Sequence, residues 1–165
     1  AFLRIAEKMG YDFGMLKEVQ KINDNQRRVL VKKIEELLWN LPKKTIGILG
    51  LSFKPDTDDI RYAPSLDIIS MLQKEGSKIK AYDPEAMDNV KKAVKQGIEF
   101  CKDPYAVAKD SDCLVIVTEW NEFKELDFKR IKKLMKQPII VDGRNIYDPQ
   151  ELKKLGFRYV GIGRR

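Results

Sequence analysis

Lys54, Arg61 and Arg144 are the side chains of this sequence best suited to holding an anion. Lys54 follows Phe53 in the run Gly47-Ile48-Leu49-Gly50-Leu51-Ser52-Phe53-Lys54-Pro55, which starts as a buried strand and opens into a loop. Arg61 lies further along that loop, just before a helix predicted to start at Ser65. Backbone N–H groups and the helix dipole both favour an anion at such a helix start. A lysine supplies a compact point charge for a phosphate or a sugar hydroxyl, and a neighbouring aromatic can shape a ligand cavity. Arg144 ends another strand in Asp142-Gly143-Arg144, where Gly143 permits a turn. Its planar fork can bind phosphate in bidentate fashion. Each has a structural alternative: Lys54 as a solvated loop lysine beside a core Phe53, and Arg61 as the ion-pair partner of Asp58 or Asp59. The convergence of three cations from two strand ends of one sheet points to nucleotide binding.

Other residue types carry less chemistry. Gly47 and Gly50 form G-x-x-G, without the spacing or third glycine of the dinucleotide fingerprint, so this turn is not read as an NAD site. Asp83 ends the second strand where a ribose-binding acid would stand, but it lies some 33 residues beyond Gly50. The usual separation is about 20, so turn and cap duty for Asp83-Pro84 is preferred. Cys101 and Cys113 read as buried structural thiols, and the chain has no histidine to serve as an imidazole base. Trp120 can either line a cleft or pack in the core. No catalytic residue and no metal-ligand set is assigned.

The elements that position these residues follow from hydrophobic period. Residues 1–42 read as helical: Phe2, Leu3, Ile5, Ala6 and Met9 share one face, Gly10 ends that helix, and Asp12 can cap the next. Val19, Ile22, Leu30, Ile34, Leu37, Leu38 and Leu41 then predict one helix from about Gly14 to Asn40, about 27 residues and roughly 40 Å long. A helix of that length fits a two-fold dimer interface, a linker between domains, or both. After Leu41-Pro42-Lys43-Lys44 the period changes. Strands are predicted at Thr45–Leu49, Lys78–Tyr82, Glu99–Phe100, Cys113–Val117, Ile139–Val141 and Arg158–Gly161. Helices are predicted at Ser65–Lys74, Met87–Gln96, Pro104–Lys109, Phe128–Met135 and Pro149–Leu155. The expected fold is α/β: a long N-terminal helical segment, then a Rossmann-like doubly wound, mostly parallel sheet. Ligands of such sheets sit at the carboxyl ends of the strands.

The net charge of +7 and pI near 9.3 raise a nucleic-acid partner as one class. The lysines are spread over nearly every helix, as in Lys32-Lys33, Lys91-Lys92, Lys132-Lys133 and Lys153-Lys154, which reads as solvated helix faces. No nucleic-acid partner is expected. No run approaches the roughly 20 apolar residues of a membrane span, and two cysteines suit a reducing compartment. A cytoplasmic protein without a membrane partner is expected. Ala1 begins inside a helical pattern, so the chain is expected to be a fragment.

Several ordered motifs carry a resemblance that runs essentially end to end: G-L-S-F-K-P-D-T-D-D-I-R at 50–61, A-P-S-L at 63–66, A-Y-D-P-E-A-M at 81–87, K-D-P-Y at 102–105, T-E-W-N-E-F at 118–123, V-D-G-R at 141–144 and G-F-R-Y-V-G-I-G-R at 156–164. The chain resembles the C-terminal part of the UDP-glucose dehydrogenase family. Sister families acting on GDP-mannose or UDP-N-acetylmannosamine share the architecture, and the F-K-P and A-Y-D-P-E-A-M runs look most like the UDP-glucose branch. The resemblance implies a central dimerisation segment at 1–42 and a UDP-sugar-binding α/β domain at 43–165. It implies oxidation of the sugar C6 alcohol to a carboxylate, with two NAD molecules reduced through a cysteine thiohemiacetal. By position, Phe53, Lys54 and Arg144 look like substrate contacts, and Arg61 looks like a residue reaching NAD held by the other domain. The family's nucleophilic cysteine and main NAD site would precede Ala1, so this chain is not expected to catalyse alone. Tyr62 departs from the acid common after that arginine. A homodimer through the long helix is the implied assembly.

Overall fold

The computed structural model describes residues 5, 8–94 and 96–163. The expectations for Phe2, Leu3 and Ala6, and for the closing Arg164, lie outside the described residues. Helix α1 spans Gly14–Leu38, 25 residues or about 37 Å. It stops short of Asn40 because Trp39 turns to φ +68° and donates its N–H back to Glu35. Asp12 does not cap it. Phe13 occupies the N-cap without a side-chain bond, and the Asp12 carboxylate pairs with Lys17 instead.

Six strands follow: β1 Thr45–Leu49, β2 Lys78–Tyr82, β3 Ile98–Phe100, β4 Cys113–Ile116, β5 Ile139–Asp142 and β6 Arg158–Gly161. Between them run α2 Pro64–Lys74, α3 Met87–Ala93, α4 Pro104–Ala108, α5 Asn121–Lys124, α6 Phe128–Leu134 and α7 Pro149–Lys154. All neighbouring strands are parallel, in the order β3-β2-β1-β4-β5-β6. The fold is therefore α/β with a Rossmann-like doubly wound sheet, and its order reverses between β1 and β4. Helix α3 ends before the predicted Gln96, since Val94 is already extended. The single turn α5 has no counterpart in the hydrophobic period.

Strands β1, β4 and β5 are buried along their whole length, which explains their continuous apolar runs. Side chains alternate between two cores. Ile46, Ile48, Val115 and Val141 face α1 and α2, where Leu30, Ile34, Ile68 and Leu72 pack. Leu49, Leu114, Ile116 and Ile140 face the opposite side, against Val107, Phe123, Ile131 and Leu152. Only the C-terminal half of α1 is buried, through Leu30, Val31, Ile34 and Leu38. Among the described residues no helix is long and apolar enough to cross a membrane.

Candidate functional site

A cleft of about 1040 Å³ opens between α1 and the carboxyl ends of the central strands. Its walls include Val19, Asn23 and Arg27 of α1, Phe53 and Tyr62 of the loop after β1, and Arg144 after β5. It lies where the strand order reverses, the place an open parallel sheet offers a ligand. Gly143 lets α1 close on this sheet edge, because a Cβ there would stand 2.7 Å from Leu30 Cδ1 and 2.8 Å from the Ile116 carbonyl oxygen.

The loop carrying Phe53 is built to leave the sheet sharply. Gly50 takes φ +92°, and a Cβ on it would meet the Thr118 backbone nitrogen at 2.5 Å. Thr118 Oγ1 then donates to the Ser52 carbonyl at 2.7 Å, and Ser65 Oγ to the Leu51 carbonyl at 2.7 Å. Phe53 N–H donates to the Asp59 carbonyl at 2.8 Å, so the loop folds back on itself. Phe53 is 51% exposed and forms a cleft wall, not a piece of core.

The structure brings Phe53 and Arg144 to one cleft, but it does not bring Lys54 or Arg61 to its walls. Lys54 is exposed and makes no ion pair among the described residues. Arg61 is gripped by Asp59, with Nε to Oδ1 at 3.0 Å and Nη2 to Oδ2 at 2.8 Å. Those hydrogen bonds pull Asp59 down to about 2, and they raise Arg61. The in-loop ion pair is therefore real, and the predicted three-cation convergence reduces at the cleft wall to Arg144.

Arg144 has a partner that no local pattern signals. Its Nη2 donates to Glu119 Oε1 at 2.7 Å and its Nε to Glu119 Oε2. The hydrogen bonds from Arg144 hold the Glu119 carboxyl below its ordinary range, and Glu119 raises Arg144 in turn. Arg27 is a second cation on the cleft, paired with Asp24 and Asp67. Its place among the charged residues of α1 gave no reason to single it out.

The other sequence candidates take structural places. Asp83 Oδ1 accepts from the N–H groups of Glu85 and Ala86, the turn duty expected of it, and the residue is fully buried. Gly47 faces Val107 Cγ1, which a Cβ would approach to 2.8 Å, so this glycine serves helix–sheet packing. Cys101 and Cys113 are buried, and burial pushes both thiols up. Trp120 packs in the core beside Phe123 and Leu126.

Residues 47–149 match the UDP binding domain of the UDP-glucose/GDP-mannose dehydrogenase family. The UDP-glucose 6-dehydrogenase TuaD of Bacillus subtilis is 42% identical over 99% of the chain, which covers 36% of that protein. A UDP-glucose 6-dehydrogenase of Rhizobium meliloti is 41% identical over 99% of the chain, which covers 38% of it. Among solved structures, a UDP-glucose dehydrogenase from Pyrobaculum islandicum superposes with a TM-score of 0.81 at 29% identity, over 92% of this chain and 33% of that one. A UDP-D-ManNAc dehydrogenase from Pyrococcus horikoshii gives a TM-score of 0.81 at 27% identity, over 96% and 36%. The chain thus spans little more than a third of the length of the curated relatives it matches.

Proposed function

This chain belongs to the UDP-glucose/GDP-mannose dehydrogenase family, and from that premise we propose that it is the C-terminal part of an NAD-dependent UDP-glucose 6-dehydrogenase. In this reading it supplies the UDP-sugar site and a dimerisation helix, residues 43–165 and 1–42 respectively. The observation that carries the reading is the cleft at the strand reversal, whose Phe53 and Arg144 walls belong to the segment that matches a UDP binding domain. Arg144 would hold the diphosphate, Phe53 would shape the cavity, and Lys54 would reach the ligand from the adjoining loop. The roughly 40% identity to UDP-glucose 6-dehydrogenases favours UDP-glucose over GDP-mannose or UDP-N-acetylmannosamine.

The whole enzyme would oxidise the sugar C6 alcohol to a carboxylate, passing two hydrides to two NAD molecules. Burial does not suit the thiols of this chain to the nucleophile's role, and Gly47 and Gly50 lack the spacing of the dinucleotide fingerprint. In this reading the nucleophilic cysteine and the main NAD site belong to the rest of the enzyme, and Arg61 would reach toward the cofactor. Alone, the chain would bind UDP-sugar without reducing NAD. Two unpaired cysteines fit a cytoplasmic setting.

Calorimetric titration with UDP and UDP-glucose tests the reading. Binding should be present at low salt and weaken as salt rises. Absence of UDP binding at low salt would overturn it.

A further inference from the structure

We infer that Asp83 is a positioning residue for the candidate anion site, setting the start of the Phe53–Lys54 loop and the Glu119–Arg144 clamp from one buried carboxylate. The inference rests on the proposal that the cleft takes a UDP-sugar. A turn after β2 needs only one carboxylate oxygen, and Oδ1 supplies it to Glu85 and Ala86 at 3.0 and 2.7 Å. The other oxygen serves different elements. Oδ2 accepts from the N–H groups of Leu51 at 2.6 Å and Ser52 at 3.0 Å, and from Ser52 Oγ at 3.1 Å. It also accepts from Trp120 Nε1 at 3.1 Å, and that same indole N–H lies 3.2 Å from Ser52 Oγ.

These contacts tie the ends of β1, β2 and β4 together on the switch-point side of the sheet. Leu51 and Ser52 directly precede Phe53 and Lys54. Trp120 directly follows Glu119, whose carboxylate grips Arg144. Both sides of the candidate site are thus one or two residues from atoms that Asp83 holds. A fully buried carboxylate fits here because every group facing it can donate. An asparagine of the same shape turns an NH₂ toward those donors on one side and leaves N–H groups unpaired.

The test measures UDP affinity by calorimetry in D83N and W120F, at a temperature where circular dichroism shows the folded chain. Asp83→Asn should weaken UDP binding about ten-fold or more, and Trp120→Phe several-fold. Because Trp120 acts through Glu119 and Arg144 as well as through Ser52, its loss should shrink in an Arg144→Ala background. Trp120→Phe binding within two-fold of wild type, or a loss that persists in full beside Arg144→Ala, overturns the inference. That cycle decides the matter even if Asp83→Asn fails to fold. If D83N folds and keeps wild-type affinity, the inference falls while the UDP reading stands. If the wild-type chain does not bind UDP, both fall.

Discussion

Glu119, in the loop after β4, holds the Nε–Nη2 edge of Arg144, which follows β5. A guanidinium has five N–H donors in a fixed fork. Two are spent on Glu119, so the Nη1 end remains for a ligand while the side chain is already ordered. Lysine has no second edge to offer. Arg144→Ala and Arg144→Lys should therefore weaken UDP binding to a similar degree, within a factor of about three of each other. Calorimetry at fixed low salt would show it, and a lysine variant that binds like wild type would refute the bidentate role.

Gly50 is irreplaceable for two independent reasons, its φ of +92° and the Thr118 backbone nitrogen 2.5 Å from a would-be Cβ. Gly76 shares the left-handed backbone at φ +80° but would meet Pro42 only at an ordinary 3.5 Å. Gly76→Ala should cost about 1 kcal/mol. Gly50→Ala should cost about 3 kcal/mol or more, because the sheet end itself must shift. Urea unfolding of both variants would separate backbone strain from steric exclusion.

Tyr82 titrates late. Burial first, then the neighbouring Glu122 carboxylate, pushes its hydroxyl up to about 12. The fold therefore favours the neutral phenol. That stabilisation is complete below the unfolded value of about 10 and is lost as pH rises through about 12. Absorbance titration at 295 nm should lose a step near pH 12 in Tyr82→Phe. In wild type, stability relative to that variant should decline between pH 10 and 12. Glu122→Gln should lower the step only in part, since burial is the larger cause.

What the sequence made legible follows the physics that acts locally. Thr45–Leu49 is readable to the residue because a buried strand flanked by turns leaves an apolar run. Lys78–Tyr82 and Arg158–Gly161, only partly buried, are readable to the residue because turns bound short β-prone segments. Helix α5, Asn121–Lys124, is four residues long and has no side-chain cap, so it leaves no periodicity to read. Phe53 and Arg144 were legible from their positions just past strand ends. Glu119 was not, because its bond to Arg144 spans 25 positions. The same holds for Asp83, whose Oδ2 partners lie 31 to 37 residues away. Local pattern marks where a side chain leaves the sheet, but it cannot say which distant group will meet it there. Arg61 is the converse case: its ion-pair partner Asp59 is two residues off, one of the two local acids, Asp58 and Asp59, that the loop offers.

Helix α1 is divided by burial, and that division predicts assembly. Leu30, Val31, Ile34 and Leu38 are covered by the sheet, whereas Met15 and Ile22, two turns apart on one face, are 77% and 56% exposed. Val19 between them, on the rim of the cleft, is also exposed. An apolar stripe of this kind on a helix extending beyond its own core favours burial against a second copy. Sedimentation equilibrium should find the wild-type chain dimeric and Met15→Lys/Ile22→Lys monomeric at the same concentration. Because these side chains touch little of their own domain, each substitution should change the stability of the isolated fold by no more than about 0.5 kcal/mol. Ile34→Ala, fully buried against the sheet, should instead cost about 2–5 kcal/mol. A wild-type chain that sediments as a monomer at tens of micromolar would remove the dimerisation role from the helix, whatever the cleft binds.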